Sequence, residues 1–287
     1  MPHVETNGVD TYYERHGEGQ PIVFVHGLTM DRRTWRPQVD ALEDTYEVIT
    51  YDCRGHGKTE TGNPSEYSVS LLVDDLRTLI EELDVESPVL CGHSYGGLII
   101  AEYAHQYPDD VAGLIFADAR TDVGEKVWER AFIRLQPVIH RLEDAVGEDR
   151  VERAQLAIVK RLENTEREAN PEVDGLGMTV SEYEEAASDR VGRDVYTAYL
   201  QAGLDYIGTT PTAFHVPVLY VYGEQGADLI KGKAERLRRA PTDVRVREIE
   251  TADHFVSLQR PGEFNTALEE FLGDVYERRQ GIQGTGD

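Results

Sequence analysis

The sequence predicts an α/β fold in which a mostly parallel sheet is covered by helices on both faces. Two observations predict it: short apolar runs of strand length recur along the chain, and segments of helical character separate them. This alternation favours parallel strands, because a parallel pair needs a long crossover connection that is usually a helix. At 287 residues, the chain is long enough for one large domain that carries an insertion.

The first half of the chain supplies most of the predicted sheet. Asn7-Gly8 predicts the tight turn of an opening β-hairpin. Buried strands are then predicted over residues 21–27, 47–52, 89–93 and 111–118. The helices between them are predicted to begin near Arg33, to cover 71–83, and to run from Ser94 to about Tyr107, before Pro108.

Residues 121–210 interrupt this alternation, because they are charged and helical in character, with a loop at Gly175-Leu176-Gly177. Strands resume over 216–223 and 245–249, and a last helix is predicted from Pro261 to Tyr276. We therefore predict a core of residues 1–120 and 211–277, a helical cap of residues 121–210, and a disordered tail of residues 278–287. A cap over the carboxyl ends of the strands would cover the place where such sheets bind ligands.

The charge balance is strongly acidic. The chain has 54 Asp and Glu residues against 29 Lys and Arg residues, which gives a formal net charge of -25. The acidic residues are spread along the chain rather than gathered in a tail, so their mutual repulsion is strongest at low ionic strength. We expect an intracellular protein adapted to high salt, with an ordinary acidic protein as the alternative. Either way, this charge argues against a nucleic-acid partner.

The N-terminal sequence and the apolar runs predict a cytoplasmic location. The first residues are neither basic nor apolar, and the apolar runs fall short of the roughly 18 residues that span a bilayer, so we expect no secretory signal and no membrane partner. Cys53 and Cys91 end strands that should lie roughly 10 Å apart, which is too far for a disulfide. Neither cysteine has metal-like spacing around it, so we expect buried thiols and no bound metal. The partner that we expect is a small-molecule substrate.

The strongest functional signal is Gly92-His93-Ser94-Tyr95-Gly96, which follows an apolar strand and opens a helix. Glycine two residues before and two residues after the serine allows the sharp turn that exposes the serine hydroxyl. The sequence therefore predicts Ser94 as a nucleophile, with a structural tight turn as the alternative reading.

A serine nucleophile needs a base, and His254 is the best candidate. It lies between the last predicted strand and the last predicted helix, after the serine in chain order. The alternative is a capping or surface histidine. For His26, His56 and His93 we favour structural roles: His26 braces its loop, and the other two pack within their turns.

Four motifs occur in a fixed order: Phe24-Val25-His26-Gly27-Leu28, Tyr51-Asp52-Cys53-Arg54-Gly55-His56-Gly57, the serine turn, and Ala252-Asp253-His254-Phe255. On these motifs the chain resembles the α/β-hydrolase superfamily over roughly residues 1–275, in particular its small esterases, lactonases and cofactor-free haloperoxidase-like members. The resemblance implies an eight-stranded sheet and an oxyanion hole formed by the backbone amides of Leu28 and Tyr95. It implies no cofactor.

The acid that should orient the base departs from the family pattern. The usual member has an aspartate three residues beyond the glycine that ends the next-to-last strand, and here that position is Gly226. We favour Asp118, directly after the strand that follows the serine's helix, and Asp228 is the alternative acid. Glu224, or no acid at all, remains open. Asp253 is disfavoured because adjacent side chains diverge.

These residues predict a serine hydrolase that cleaves a small carboxylic ester, lactone or thioester through an acyl-enzyme intermediate. One alternative is a carbon–carbon bond hydrolase of the same fold. Another is a non-catalytic ligand-binding protein, which the glycine at position 226 alone supports. Specificity should come from the cap, where the following side chains could line a pocket: Val127, Trp128, Phe132, Leu135 and Met178.

Overall fold

The computed structural model describes residues 2–119, 130–131, 134–135, 138–139, 170–173, 175–206, 214–226, 228–239 and 243–283. Its main feature is an eight-stranded sheet in the order β1-β2-β4-β3-β5-β6-β9-β10. These strands are β1 (His3–Thr6), β2 (Val9–His16), β3 (Gln20–Val25), β4 (Tyr46–Tyr51), β5 (Val89–His93), β6 (Gly113–Ala117), β9 (Val218–Gly223) and β10 (Val244–Ile249). The predicted fold class is confirmed.

The sheet is antiparallel only at its first edge. β2 pairs antiparallel with both β1 and β4, and every later pair is parallel. The β1–β2 turn has positive φ at Asn7 (46°) and at Gly8 (81°). A type I′ turn requires positive φ at both central residues, which explains why this dipeptide closes the predicted hairpin.

Helices cover both faces of the sheet. The helices whose bounds the structure describes are α1 (Arg36–Leu42), α2 (Val69–Glu82), α3 (Tyr95–Gln106), α4 (Val180–Ser188), α5 (Arg193–Asp205), α6 (Asp228–Arg238), α7 (Val256–Gln259) and α8 (Pro261–Gln283). Of these, α4 and α5 belong to the segment between β6 and β9. A short 3₁₀ turn (Arg32–Trp35) precedes α1, so the first helix begins near Arg33 as predicted. Among the described helices, none combines the length and apolar composition that crossing a membrane requires.

Alternate side chains of the central strands enter two separate cores. In β3, Ile22 and Phe24 pack with α1 and α8, whereas Val23 and Val25 pack with α2 and α3 on the other face. A strand buried on both faces shows this two-residue alternation together with continuous apolar character. The two layers hold the carboxyl ends of the parallel strands, where the candidate site lies, in a fixed arrangement.

Two expectations at element boundaries were wrong. Helix α8 continues to Gln283, so the tail predicted as disordered from residue 278 is helical up to that point. Most residues from Glu277 to Gln283 are polar, so no apolar period marks this continuation in the sequence. Within 121–210, two short strands, β7 (Glu172–Val173) and β8 (Met178–Thr179), form an antiparallel pair. Strands of two residues are too short to produce a readable period.

The described part of 121–210 lies between β6 and β9 in the chain, outside the main sheet. The predicted loop at Gly175-Leu176-Gly177 is the turn between β7 and β8. Of the predicted pocket residues, Val127, Trp128 and Phe132 lie outside the described residues. Leu135 is exposed, and Met178 packs against a small apolar cluster.

Cys53 and Cys91 are both buried and free, as predicted. β3 separates the strands that precede or contain them, as the sheet order shows.

Candidate active site

Ser94 occupies a strained turn between β5 and α3. Its backbone has φ 50° and ψ -114°, a conformation that non-glycine residues rarely adopt. A Cβ on Gly96 would stand 2.3 Å from the carbonyl oxygen of Val25, and one on Gly92 would stand 2.6 Å from the backbone of Gly96. Only glycine fits at either position, which accounts for the glycine spacing around the serine.

The amide groups predicted to form an oxyanion hole come from two segments beside this turn. Tyr95 is the first residue of α3, and the first amides of a helix have no acceptor within the helix. Leu28 follows β3 in the loop that begins at Gly27. A Cβ on Gly27 would stand 3.0 Å from Cβ of Ser94, so this loop passes directly beside the serine.

His254 and Asp118 are joined by a hydrogen bond. Nδ1 of His254 donates to Oδ2 of Asp118 at 2.6 Å. The aspartate follows β6 with φ 43°, its amide donates to the carbonyl of Val221 in β9, and it is 1 % exposed. The imidazole side chain is 43 % exposed. Because Nδ1 is the donor, Nε2 of the neutral ring carries the free lone pair.

The electrostatics of this pair raise the pKa of His254. Burial lowers the pKa, but the hydrogen bond that the ring donates to Asp118 and the negative charge of that carboxylate outweigh burial, so the pKa lies above the ordinary value. The pair therefore stabilises an imidazolium, which is the form that a histidine takes after it accepts a proton from a nucleophile.

Glu224 and Asp253, two of the other candidate acids, have different hydrogen-bond partners. Glu224 is exposed and accepts a hydrogen bond from the amide of Thr251. Asp253 accepts from the amide of Phe255, which turns its carboxylate into the local loop. Asp228 is the first residue of α6, and its side chain lies outside the description. Among the candidate acids whose side chains are described, Asp118 is the one that hydrogen-bonds to His254.

Gly226 lies against the carboxylate of Asp118. A Cβ on Gly226 would stand 3.1 Å from Oδ1 of Asp118 and 2.9 Å from the carbonyl oxygen of Gly223. The segment after β9 therefore packs against the Asp118 carboxylate at a distance that leaves no room for a side chain.

The three other histidines near the site make backbone contacts. Nε2 of His93 donates to the carbonyl of His254 at 2.8 Å, and the two rings lie 4.7 Å apart. Burial, with the charge of His254 as a smaller contribution, lowers the pKa of His93 to about 3, so this ring is neutral. His93 directly precedes Ser94, so this hydrogen bond joins the loop that contains His254 to the turn at Ser94.

His26 and His56 brace loops. The amide of Cys53 donates to Nε2 of His26, whose Nδ1 donates to the carbonyl of Gly27. His26 thus joins the loop after β3 to the loop after β4. Nδ1 of His56 donates to the carbonyl of Arg54. Burial is also the main reason why the pKa of His56 is lowered to about 3.

A family model described as the α/β hydrolase fold matches residues 20–261. The chain belongs to the α/β-hydrolase family. By family, it is a hydrolase.

Relatives of this α/β hydrolase carry several names. The protein named "Putative carbamate hydrolase RutD" from Azorhizobium caulinodans is 27% identical over 281 residues, which cover 96% of this chain and 99% of the relative. The non-heme chloroperoxidase CPO-A1 of Kitasatospora aureofaciens is 35% identical over 102 residues, or 35% of this chain and 37% of the relative.

Solved structures show the same fold. A thermophilic esterase from Thermogutta terrifontis has a TM-score of 0.74 at 22% identity, with 95% of this chain and 98% of that chain covered. The enol-lactonase from Burkholderia xenovorans has a TM-score of 0.72 at 23% identity, with 95% and 100% covered. At such identities the likeness concerns the fold alone.

Nothing in the sequence indicates two buried tyrosines, in helices α4 and α5, that contact the loops of the site. Tyr183 of α4 contacts the loop after β3, and Tyr199 of α5 contacts the serine turn through Tyr95. Neither lies in a motif, and their contacts join residues more than a hundred positions apart in the chain, so no local pattern could have indicated them. Within the described ranges, no group of three or more His, Cys, Asp or Glu residues is arranged to hold a metal ion.

Proposed function

We propose that this α/β hydrolase is a serine hydrolase that cleaves a small carboxylic ester, lactone or thioester through an acyl-enzyme intermediate. The observation that carries the proposal is the hydrogen bond from His254 to Asp118, because it leaves Nε2 as the basic atom of the ring. The strained turn at Ser94 supports it, since such a turn exposes a serine hydroxyl to substrate.

In the first half of the reaction, Oγ of Ser94 attacks the substrate carbonyl carbon while Nε2 of His254 accepts the hydroxyl proton. Asp118 stabilises the imidazolium that forms, in keeping with the raised pKa of His254. The imidazolium then donates its proton to the leaving oxygen or sulfur as the carbonyl–leaving-group bond breaks. The product of this half-reaction is an ester between the acyl group and Ser94.

In the second half, His254 takes a proton from water, and the resulting hydroxide equivalent attacks the acyl carbon. The proton returns to Oγ of Ser94 as the acid product leaves. In both halves the carbonyl oxygen becomes negatively charged, and the amides of Leu28 and Tyr95 would stabilise it. Each such donor contributes about 3 kcal/mol in enzymes of this kind.

Hydrolysis of p-nitrophenyl acetate, butyrate and decanoate, in high and in low KCl, tests this proposal. Wild type should show chain-length-dependent turnover, and Ser94→Ala should reduce kcat to the background rate. The matched control is Ser70→Ala, which replaces an exposed serine in the first turn of α2 and should leave kcat unchanged. Equal turnover by wild type and Ser94→Ala would refute the proposal.

Carbamates are a second substrate class to include, because the relative that matches nearly the full chain is named for carbamate hydrolysis. A carbamate carbonyl undergoes the same attack and needs the same oxyanion donors. Carbon–carbon bond hydrolysis remains an alternative on the same residues. The non-catalytic alternative rests on the glycine at position 226, and the pairing of His254 with Asp118 supports catalysis without an aspartate there.

A further inference from the structure

Helix α4 is attached to the loop that contains Leu28 by the hydroxyl of Tyr183. This oxygen accepts a hydrogen bond from the amide of Asp31 at 3.2 Å and donates to the carbonyl of the same residue at 3.1 Å. Tyr183 is fully buried. Burial raises its pKa well above the ordinary value, so the hydroxyl stays protonated and can donate at any working pH.

Helix α5 is attached to the serine turn in a similar way. The hydroxyl of Tyr95 donates to the carbonyl of Tyr199 at 2.9 Å, and the hydroxyl of Tyr199 donates to the carbonyl of Arg54 at 3.0 Å. The two tyrosine rings also meet edge to face, with centroids 5.2 Å apart. Tyr95 is the residue whose amide is one of the two proposed oxyanion donors.

Both attached segments have strained backbones. Ser94 has φ 50°, and in the other segment Thr29, directly after Leu28, has φ 65°. Non-glycine residues hold such conformations only where the surrounding structure compels them. The carbonyl of Gly27, which accepts from His26 and from the amide of Met30, secures one end of the second loop. The double contact of Tyr183 with Asp31 secures the other end.

An apolar cluster reinforces the attachment of α4 and extends it to the base. Met30 of the Leu28 loop, Tyr183 of α4 and Phe255 belong to one buried cluster. Phe255 follows His254 directly, and its ring lies 5.6 Å from the imidazole. The helices of the 175–206 segment therefore pack on the loops that carry the proposed donors and the proposed base.

We infer that Tyr183 and Tyr199 are positioning residues for the oxyanion hole. Tyr183 holds the segment that contains Leu28 through the backbone of Asp31, and Tyr199 holds Tyr95 by accepting the hydrogen bond from its hydroxyl. This inference rests on the proposed function. Helices α4 and α5 thereby become part of the structure that sets the rate of the chemical step, in addition to any part in substrate recognition.

A donor that is displaced weakens stabilisation of the transition state more than binding of the ground state, so the effect should fall on kcat rather than on KM. Complete loss of one donor lowers kcat by roughly 10²- to 10³-fold, and displacement alone should cost less. We expect Tyr183→Phe and Tyr95→Phe each to lower kcat by roughly ten- to a hundred-fold, with KM changed less than about twofold.

Tyr276→Phe is the matched control. The hydroxyl of Tyr276 also accepts from one backbone amide, that of Val89, and donates to one carbonyl, that of Pro21, but both lie at the opposite ends of their strands from the serine. Tyr276 is buried to a similar extent. Its substitution should lower the unfolding temperature as Tyr183→Phe does and leave kcat unchanged.

The experiment measures kcat and KM for p-nitrophenyl butyrate, and the unfolding temperature, in wild type, the three Phe variants and Ser94→Ala. For wild type and the Phe variants, kcat is divided by the fraction of sites that a fluorophosphonate labels at the end point, so a smaller folded fraction does not count as slower turnover. Ser94→Ala has no such site, and its rate is given per total protein. If Tyr183→Phe fails to fold, Tyr95→Phe decides, because it removes a single hydrogen bond.

A selective loss of kcat in Tyr183→Phe or Tyr95→Phe, absent from Tyr276→Phe, supports the inference. If wild type is active and Ser94→Ala inactive, but the Tyr95 and Tyr183 variants keep the wild-type kcat, the positioning role is wrong and the proposed function stands. If wild type is inactive, or Ser94→Ala equally active, the proposed function fails and the inference fails with it.

Discussion

Nδ1 of His254 donates a hydrogen bond to Oδ2 of Asp118 across 2.6 Å, although the two residues are 136 positions apart in the chain. The contact forms because β6 and β9 are neighbours in the sheet and β10 follows, so the loops after β6 and β10 meet at the same edge. Asp118 is buried whereas the imidazole is partly open, so the carboxylate lies behind the ring as seen from solvent.

Asp118→Asn should lower kcat for ester hydrolysis by roughly 10⁴-fold. An asparagine of the same shape can donate a hydrogen bond to the ring and so favour the tautomer that leaves Nε2 protonated. Asp228→Asn is the matched control and should change kcat less than about twofold. A large loss in Asp228→Asn, with Asp118→Asn close to wild type, would reverse the assignment of the acid.

The pKa of His254 should lie above 6.5 and should fall in Asp118→Asn. The carboxylate raises the pKa because it stabilises the protonated ring, and its removal leaves burial, which lowers the pKa. NMR titration of labelled histidine, with His254 assigned by His254→Gln, measures both values. Accordingly, the acidic limb of kcat/KM in wild type should lie above pH 6.5, because the base must be neutral. An unchanged His254 pKa in Asp118→Asn would disprove this electrostatic account.

Gly226→Ala should lower both activity and stability. Its Cβ would stand 3.1 Å from Oδ1 of Asp118 and 2.9 Å from a backbone carbonyl, so the carboxylate or the loop must shift. We expect about a tenfold loss of kcat and a stability cost of about 1–3 kcal/mol. The control is Gly232→Ala in α6, where a Cβ meets nothing within 4 Å and alanine favours the helix. Wild-type kcat in Gly226→Ala would show that the packing of residue 226 against Asp118 does not affect catalysis.

The unfolding temperature should rise with KCl concentration. The net charge is -25, and exposed acidic residues lie close together in the chain, for example Glu82, Asp84 and Glu86 at and after the end of α2. Salt shortens the Debye length to about 3 Å at 1 M and so screens their repulsion. Thermal unfolding at 0.05 M and 2 M KCl measures the effect, with sucrose at matched osmolality as the control for exclusion effects. Equal unfolding temperatures in both salt solutions would contradict adaptation to high salt.

The parts of the site that depend on short stretches of chain could be predicted from the sequence. The glycines around Ser94 are required by contacts within the turn and with the adjacent strand, so their spacing is visible locally. The hairpin at Asn7-Gly8 is another example, since positive φ at two successive positions restricts the residue types directly.

The choice of acid could only be narrowed, because it depends on which strand ends are neighbours and how their loops pack. Asp118 and Asp228 both follow strands that end at the same edge, and the sequence does not show which carboxylate reaches His254. The contacts of Tyr183 and Tyr199 could not be predicted at all. They join a segment without a clear motif to loops more than a hundred positions away in the chain. Nothing in the sequence distinguishes these two tyrosines from the others.

Fluorophosphonate labelling followed by peptide mass spectrometry tests the central claim, which is that His254 and Asp118 activate Ser94. The account predicts a single adduct on the peptide that contains Ser94, formed rapidly in wild type, at least a hundred-fold more slowly in His254→Ala, and absent from Ser94→Ala. No adduct on Ser94 in the folded wild-type protein, or labelling at the same rate in His254→Ala, would contradict it.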